Sequence, residues 1–426
     1  MNNTPAHVSQ TARARGTPLL AMRIGWRNLW RNKRRTWLTA GGIAFAILLV
    51  VFAMALQFGS YAGMTENATS LLTGHMQIQN PAYVNDQRVE YTIADATALR
   101  RQIEATSGVL AVAPRVEIFA LALDAVGERS SGVQIMGVDV AAELRTVRFL
   151  KMVKQGRVIQ SADEAVIGVT LARNLGLGVG DELLLLGSAK RGGMAALALR
   201  VVGLFESGMA EPDRALLFAE LEAVQDAFDL GDEVHTFAIK VADFESIDTT
   251  LGMLRKGIVR DDVVIRHWED VLPELQQAIE LDRVSGQFLY GIIMILVVFS
   301  VVNSFIMTVF ERTREFGMLL ALGTRPVGIV ALVLWEAWFM WVLGTLIGLG
   351  LASGLLWWLA DVGIYLGEAM EEFSAQFYMP ARIYPALTAG AMLTAPLIML
   401  IGTLLAALVP ALRIPLMQPV DALRAE

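Results

Sequence analysis

The 426-residue sequence contains no cysteine. That absence excludes a lipid-modified cysteine, a thiolate metal site and any disulfide, and it is compatible with an oxidising outer compartment. Histidine is scarce, with 4 in all, and His75, His235 and His267 stand at strand edges without metal-ligand spacing, as ordinary surface or core histidines do. No Gly-x-x-x-x-Gly-Lys-Ser/Thr run occurs, so the sequence offers nucleotide phosphates no P-loop. Gly176-Leu177-Gly178-Val179-Gly180-Asp181 has the wrong spacing for a dinucleotide fingerprint and reads as a turn entering the strand-like Leu183 to Leu186. Asp261-Asp262 and Glu371-Glu372 read as solvated turns rather than acid–base dyads. No catalytic residue, bound metal or cofactor is therefore expected in this chain.

Charge is also low, at 18% of residues against 55% hydrophobic, with a mean hydropathy of +0.51. The chain is too apolar for an ordinary soluble protein and too charged for a wholly embedded one, so a few spans plus a water-exposed domain are expected. The formal net charge of −7 hides an asymmetry. Arg23, Arg27, Arg31, Lys33, Arg34 and Arg35 crowd before the first apolar run, whereas Glu368, Glu371 and Glu372 lie between the last two.

Residues 1–35 read as a polar cytoplasmic tail leading into an interfacial amphipathic helix, with Trp26, Trp30 and Trp37 interleaved among the cations. Nucleic-acid binding is the competing use of such a cluster; the membrane span that follows at once argues against it. Transmembrane helices are expected over 36–60, 288–310, 327–359 and 387–412, each long enough to cross a bilayer. The small-x-small run Ala53-Met54-Ala55 is the mark of a signal peptide, but the apolar stretch is long for one.

Between the first two spans, 61–287 contains nothing long and apolar enough to cross. It holds two strand–helix–strand passages, His75 to Leu123 and His235 to His267, around a β-rich insert at about 131–232, and Asp270 to Gln287 reads as a stalk helix continuous with the second span. Residues 360–386 form an outer loop and 413–426 a second cytoplasmic tail. Arg382 is the sole cation between the last two spans, while Arg312, Arg314 and Arg325 precede the third, so both termini and the segment 311–326 are expected in the cytoplasm and 61–287 outside.

That segment, Glu311-Arg312-Thr313-Arg314-Glu315-Phe316-Gly317-Met318-Leu319-Leu320-Ala321-Leu322-Gly323-Thr324-Arg325-Pro326, begins charged and turns apolar, with Phe316, Leu319, Leu320 and Leu322 at helical spacing and Gly323 as a stop. The pattern predicts an amphipathic helix at the membrane surface with an apolar face free to dock into a partner. Glu336, some nine residues into the third span, must face protein or the headgroups, since a carboxylate in lipid costs several kcal/mol. It serves either to couple helix motion to the cytoplasmic segment or as a satisfied structural group. Asn303 and Ser304 in the second span invite the same weighing, with structural hydrogen bonding favoured. Gly344, Gly348, Gly350 and Gly354 suit close helix contact, Pro396 a kink, and Trp335, Trp357 and Trp358 interface anchors.

The run Glu311 to Gly323 resembles the cytoplasmic loop of ABC-transporter permeases of the FtsX/MacB/LolC-LolE group. The likeness extends to Arg27-Asn28-Leu29-Trp30-Arg31-Asn32-Lys33-Arg34-Arg35-Thr36, to Gly74-His75-Met76-Gln77-Ile78, and to Ile167 to Ala172 with Leu175 to Asp181. It continues in Val202 to Gly208, Pro410-Ala411-Leu412-Arg413 and Pro419 to Arg424, with the LolC/LolE type nearest. The resemblance implies an α-helical membrane protein with four transmembrane helices (type VII ABC permease-like) plus a large extracytoplasmic α/β domain made of a βαβ part and a β-rich insert. It also implies a bacterial inner-membrane location and a homodimer or heterodimer with a second permease subunit. Two copies of a separate ABC ATPase would bind ATP and Mg.

In that family the loop is the coupling helix gripping the ATPase, which here carries Glu311, Arg312, Arg314, Glu315, Phe316, Gly317, Leu319, Leu320, Leu322 and Gly323 over to that role. Closure of the ATPases pushes this helix, and the first two spans transmit the movement outward. LolC/LolE-type members extract lipoproteins and pass them to a periplasmic chaperone, which LolC recruits through a hairpin loop. The loop at that place here is Gly187 to Met194, short, Gly-rich and without an aromatic hook. MacB-like export of a peptide, drug or amphiphile, and FtsX-like signalling to a cell-wall hydrolase, are the rival readings.

Overall fold

Four helices are long and apolar enough to cross a membrane among the residues described, which are 18–365 and 382–414 of a computed structural model. A helix α1 (Pro18–Arg31) comes first and α2 (Lys33–Ala68) follows after one non-helical residue, running on through a π-helical stretch at Thr69–Thr73. The first two membrane-length helices, Lys33–Thr73 and Pro273–Glu311, run well past the expected spans because polar but unbroken helical sequence flanks their apolar runs, whereas the fourth, Ala389–Ala411, stays within 387–412. The amino-terminal tail before residue 18, the carboxylates Glu368, Glu371 and Glu372, and the Pro419 to Arg424 motif lie outside the described residues.

These residues divide into two units, and two of the divisions fall inside helices, after Gly59 within α2 and after Glu280 within the helix that begins at Pro273. The unit built on Ser60–Glu280 is a mixed α/β domain. Its strands are β1 (Met76–Gln79), β2 (Val109–Asp124), β3 (Ser130–Val138), β4 (Val153–Gly156) and β5 (Glu164–Gly168), then β6 (Glu182–Ser188), β7 (Met194–Phe205), β8 (Leu216–Glu220), β9 (Thr236–Val241) and β10 (Val264–His267). Its main helices are α3 (Ala96–Glu104), α4 (Val140–Thr146), α5 (Val169–Leu175), α6 (Leu221–Ala227) and α7 (Ile247–Gly257).

The two strand–helix–strand passages interleave as expected of a split βαβ layer, in the order β10-β1-β9-β2. Helix α3 covers this layer with Ala96, Leu99 and Ile103, and α7 with Ile247, Leu251 and Leu254, both at helical spacing. The β-rich insert is not a separate sheet. Strand β2 is 16 residues long; its first part pairs with β9, and its second part pairs with β3 on one edge and β6 on the other. Pairing then runs β2-β3-β8-β5-β7-β6 and returns to β2, which closes the strands into a small barrel and removes their free edges. Ile118, Val133, Ile135, Leu185, Leu199 and Leu217 are buried in its core. Arg115 on β2 donates to both oxygens of Glu143 on α4, at 3.1 and 2.6 Å, a fully buried pair fixing that helix against the shared strand.

The other unit holds the remaining long helices: α8 (Pro273–Glu311), a short α9 (Thr313–Ala321), α10 (Pro326–Val362) and α11 (Ala389–Ala411). Gly344 and Gly348 face α2 so closely that a Cβ on either would lie 2.7 Å from Ile43 or from the Ala44 carbonyl oxygen. Gly350 and Gly354 face open space, so only half of the expected glycine stripe is a packing surface. Trp335 packs in the helix core against Phe339 and over Gly25, whereas Trp357 and Trp358 are exposed as interface anchors would be. The Trp341 indole donates to the Pro396 carbonyl oxygen at 2.9 Å, tying α10 to α11.

Candidate coupling site

Helix α8 ends at Glu311, and one residue, Arg312, stands between it and α9 with a backbone at φ −105°, ψ 10°. Helix α9 closes at Gly323, whose φ of +88° suits glycine, with Gly323 N–H donating to Leu320 O and Thr324 N–H to Leu319 O, both at 3.0 Å. That pair of bonds is a Schellman closure, and Pro326 then starts α10 at a position where its missing N–H costs nothing.

The face of α9 expected to be free is not. Phe316 is fully buried, Gly317 is buried, and Leu319 and Leu320 pack half-buried against the same core of α2, α8 and α10. The periodicity marks an apolar face correctly but is silent on which neighbour covers it. What α9 presents outward is Arg314, Met318, Ala321 and Leu322, the last 83% exposed, followed by Gly323, Thr324 and Arg325.

Beneath α9 lies a ring of polar contacts. Arg312 donates through Nη1 to both oxygens of Glu336 on α10, at 2.8 and 3.0 Å, and through Nε to Glu315 Oε2 at 3.0 Å. Glu336 is 2% exposed and also accepts from the Asn28 side-chain amide on α1 at 2.6 Å. Arg31, one turn further along α1, donates to both oxygens of Glu315 at 2.7 and 2.8 Å. The order Asn28–Glu336–Arg312–Glu315–Arg31 therefore leaves α1 and returns to it, with two cations and two anions in balance. The Arg312 guanidinium also lies 5.0 Å from the centre of the Phe316 ring. Burial alone would raise the Glu315 carboxyl, but the bonds from Arg31 and Arg312 outweigh it and hold it below the usual range. Glu311 pairs separately with Arg35 at 3.1 Å.

Of the two intramembrane polar residues, Glu336 is thus a buried ion-pair partner of the 311–326 segment. Asn303 is not satisfied in the way expected: it is exposed and has no side-chain partner among the described residues, lining an open groove of about 350 Å³. The structural bond falls to its neighbour Ser304, which meets Thr39 of α2 at 2.7 Å, because successive helical residues point about 100° apart. Asn28 and Arg31 were not identified as site residues in the sequence. Their only signal is an i, i+3 spacing on a basic helix, which does not name a partner.

Among the described residues no three histidine, aspartate or glutamate side chains converge as metal ligands would. His75 and His235 are buried core residues, and burial pushes both down to about 4. His267 instead caps the short helical turn after β10. Asp262 is paired with Arg260 in a turn, and Glu371-Glu372 lie outside the described residues.

Four membrane-length helices, a mixed α/β domain between the first two, and a short charged helix between the second and third define a permease-type membrane subunit. The chain belongs to the family with a MacB-like periplasmic core domain, matched over residues 36–256, followed by an FtsX-like permease C-terminal segment over 288–414. It is an ABC permease of the LolC/MacB/FtsX family. It is 25% identical over 419 residues to the lipoprotein-releasing system transmembrane protein LolC of Neisseria meningitidis, covering 95% of this chain and 98% of that one. It is 26% identical over 353 residues to the macrolide export ATP-binding/permease protein MacB of Nitrobacter winogradskyi, covering 78% of this chain and 52% of that protein. It is 28% identical over 400 residues to MacB 1/2 of Paracoccus denitrificans, covering 87% and 54%. The chain thus spans about half the length of these macrolide-export relatives. Among solved structures, the periplasmic region of MacB from Actinobacillus actinomycetemcomitans aligns with a TM-score of 0.35 and 15% identity, over 50% of this chain and 97% of that one.

Proposed function

We propose that this permease couples ATP hydrolysis by a separate ABC ATPase to movement of its periplasmic domain, and that it releases lipoproteins from the inner membrane for outer-membrane sorting. The observation that carries the cargo class is the end-to-end match to a lipoprotein-releasing LolC, against partial matches to the fused macrolide exporters. No P-loop lies within these 426 residues, which supports nucleotide binding outside them.

The dock is the outward face of α9, with Met318 and Leu322 as apolar anchors and Arg314 and Arg325 at its rim. The excess of cations at this end supports a cytoplasmic location for it and for both termini. A push on α9 reaches α8 through Arg312 and α10 through Glu336, while α2 and α8, each continuous from the membrane unit into the other, carry the movement onward. A second permease subunit completes the assembly in the lipid bilayer, with two copies of the ATPase holding ATP and Mg. The β6–β7 hairpin is closed by an Ala189 N–H bond to Gly193 O and carries no aromatic hook, so recruitment of a periplasmic chaperone is assigned to the second subunit of a heterodimer.

The test is purification with the native ATPase and identification of what accompanies the complex. Acylated protein supports the reading; an adaptor with an outer-membrane duct supports MacB-like export, and a murein hydrolase supports FtsX-like signalling, either of which overturns the lipoprotein assignment.

A further inference from the structure

We propose that α1 is the fixed arm of the coupling device, and that Asn28 and Arg31 are positioning residues which hold α9 at a set angle so that a push on it is transmitted rather than absorbed. The proposal rests on the reading of α9 as the ATPase dock.

Arg312 is the lone non-helical residue between a 39-residue helix and a 9-residue one, which makes it a natural hinge. A hinge between a lever and its rod dissipates force unless something holds it. Here three elements hold it: Glu336 from α10, Glu315 from α9 itself and, through these two carboxylates, the side chains of Asn28 and Arg31. The two α1 residues are one helical turn apart, so they grip α10 and α9 from a single rigid face.

Helix α1 is itself anchored. Leu29 is buried, Gly25 lies so close to α10 that a Cβ would sit 3.3 Å from that of Trp335, and the Trp26 ring meets Phe339 edge-on at 5.2 Å. The Arg312–Glu336 pair is buried and the Arg31–Glu315 pair exposed; neither adds much net stability, but charge-assisted hydrogen bonds are directional, and direction is what a hinge clamp requires. An interfacial helix serving only as a lipid anchor would leave the side chains of Asn28 and Arg31 without partners in the chain. Instead both are committed to carboxylates elsewhere in the chain.

The experiment uses the full permease with its ATPase in nanodiscs. In Arg31→Glu, like charge faces Glu315 and the clamp opens; nucleotide-driven distance changes between spin labels on the periplasmic domain are expected to fall about tenfold while the ATPase stays bound and hydrolyses ATP. Arg31→Lys, which keeps a cation opposite Glu315 and leaves the Arg312–Glu315 contact alone, is expected to keep the movement. Asn28→Ala is expected to show the same split more weakly. The proposal is overturned if Arg31→Glu lowers ATPase binding and movement in parallel, since Arg31 would then be a contact residue, or if Arg31→Glu leaves the movement unchanged, or if Arg31→Lys loses it as fully as Arg31→Glu in a protein that is folded by hydrogen exchange. Leu322→Glu separates the two ideas: if it leaves ATPase binding intact, the dock is wrongly placed and the clamp, having no push to transmit, falls with it.

Discussion

Arg312 and Glu336 stand 24 residues apart in the chain, yet a single guanidinium nitrogen reaches both oxygens of a carboxylate that is almost wholly buried. The pair joins the start of the 311–326 segment to a helix long enough to span a membrane. Breaking such a pair from one side strands the other charge. Glu336→Ala is therefore expected to destabilise the chain by about 3–5 kcal/mol, and the double change Arg312→Met with Glu336→Leu by clearly less, measured by unfolding in mixed micelles.

Phe316 and Leu322 separate folding from docking. Phe316→Ala opens a cavity in the helix core and is expected to cost about 3–5 kcal/mol of stability. Leu322→Ala, at an exposed position, is expected to change stability by less than about 0.5 kcal/mol. Yet it should weaken the ATPase complex about tenfold in a binding titration, as loss of an apolar anchor does.

The glycine stripe on α10 gives a matched set. Gly344→Leu and Gly348→Leu push a side chain into α2 where even a Cβ is too close, and both are expected to prevent accumulation of folded protein. Gly350→Ala and Gly354→Ala meet open space and raise helix propensity, so they are expected to be neutral or slightly stabilising by thermal melting in detergent.

The α/β domain should lose stability as acid rises. Burial, with Lys240 adding to it at His75, lowers the folded-state value of His75 and of His235 from 6.5 to about 4. Above pH 6.5 both states are neutral and the contribution is intact. As pH falls from 6.5 towards 4 the unfolded chain binds protons that the folded chain refuses, and up to about 3 kcal/mol per histidine is lost. Hydrogen exchange across β1 and β9 should accelerate over that window, and His75→Asn with His235→Asn should flatten the slope.

Much of this arrangement was legible in the sequence because local periodicity encodes it. Apolar runs mark the four long helices, and strand alternation marks the two strand–helix–strand passages and the β-rich insert between them; Val153–Gly156 carries no such signal because it is short, polar and exposed along most of its length. Helices α4, α5 and α6 were not read, being only 7 residues each. Barrel closure was invisible, because nothing in β2 says that its two edges will meet different partners along its length. At the coupling site, Glu336 stood out as a carboxylate in an apolar run and Arg312 as a charge in the loop. Their pairing, and the reach of Asn28 and Arg31 from α1, depend on tertiary packing that no local pattern carries.

The account depends most directly on α9 lying on the cytoplasmic side and the α/β domain on the other. Since the chain has no cysteine of its own, single cysteines at Val126 and Leu322, both well exposed, report each side without background. In cells with a permeabilised outer membrane, an impermeant maleimide is expected to label Val126→Cys at once and Leu322→Cys only after the inner membrane is opened. Labelling of both from outside at similar rates would contradict a lever driven by a cytoplasmic ATPase.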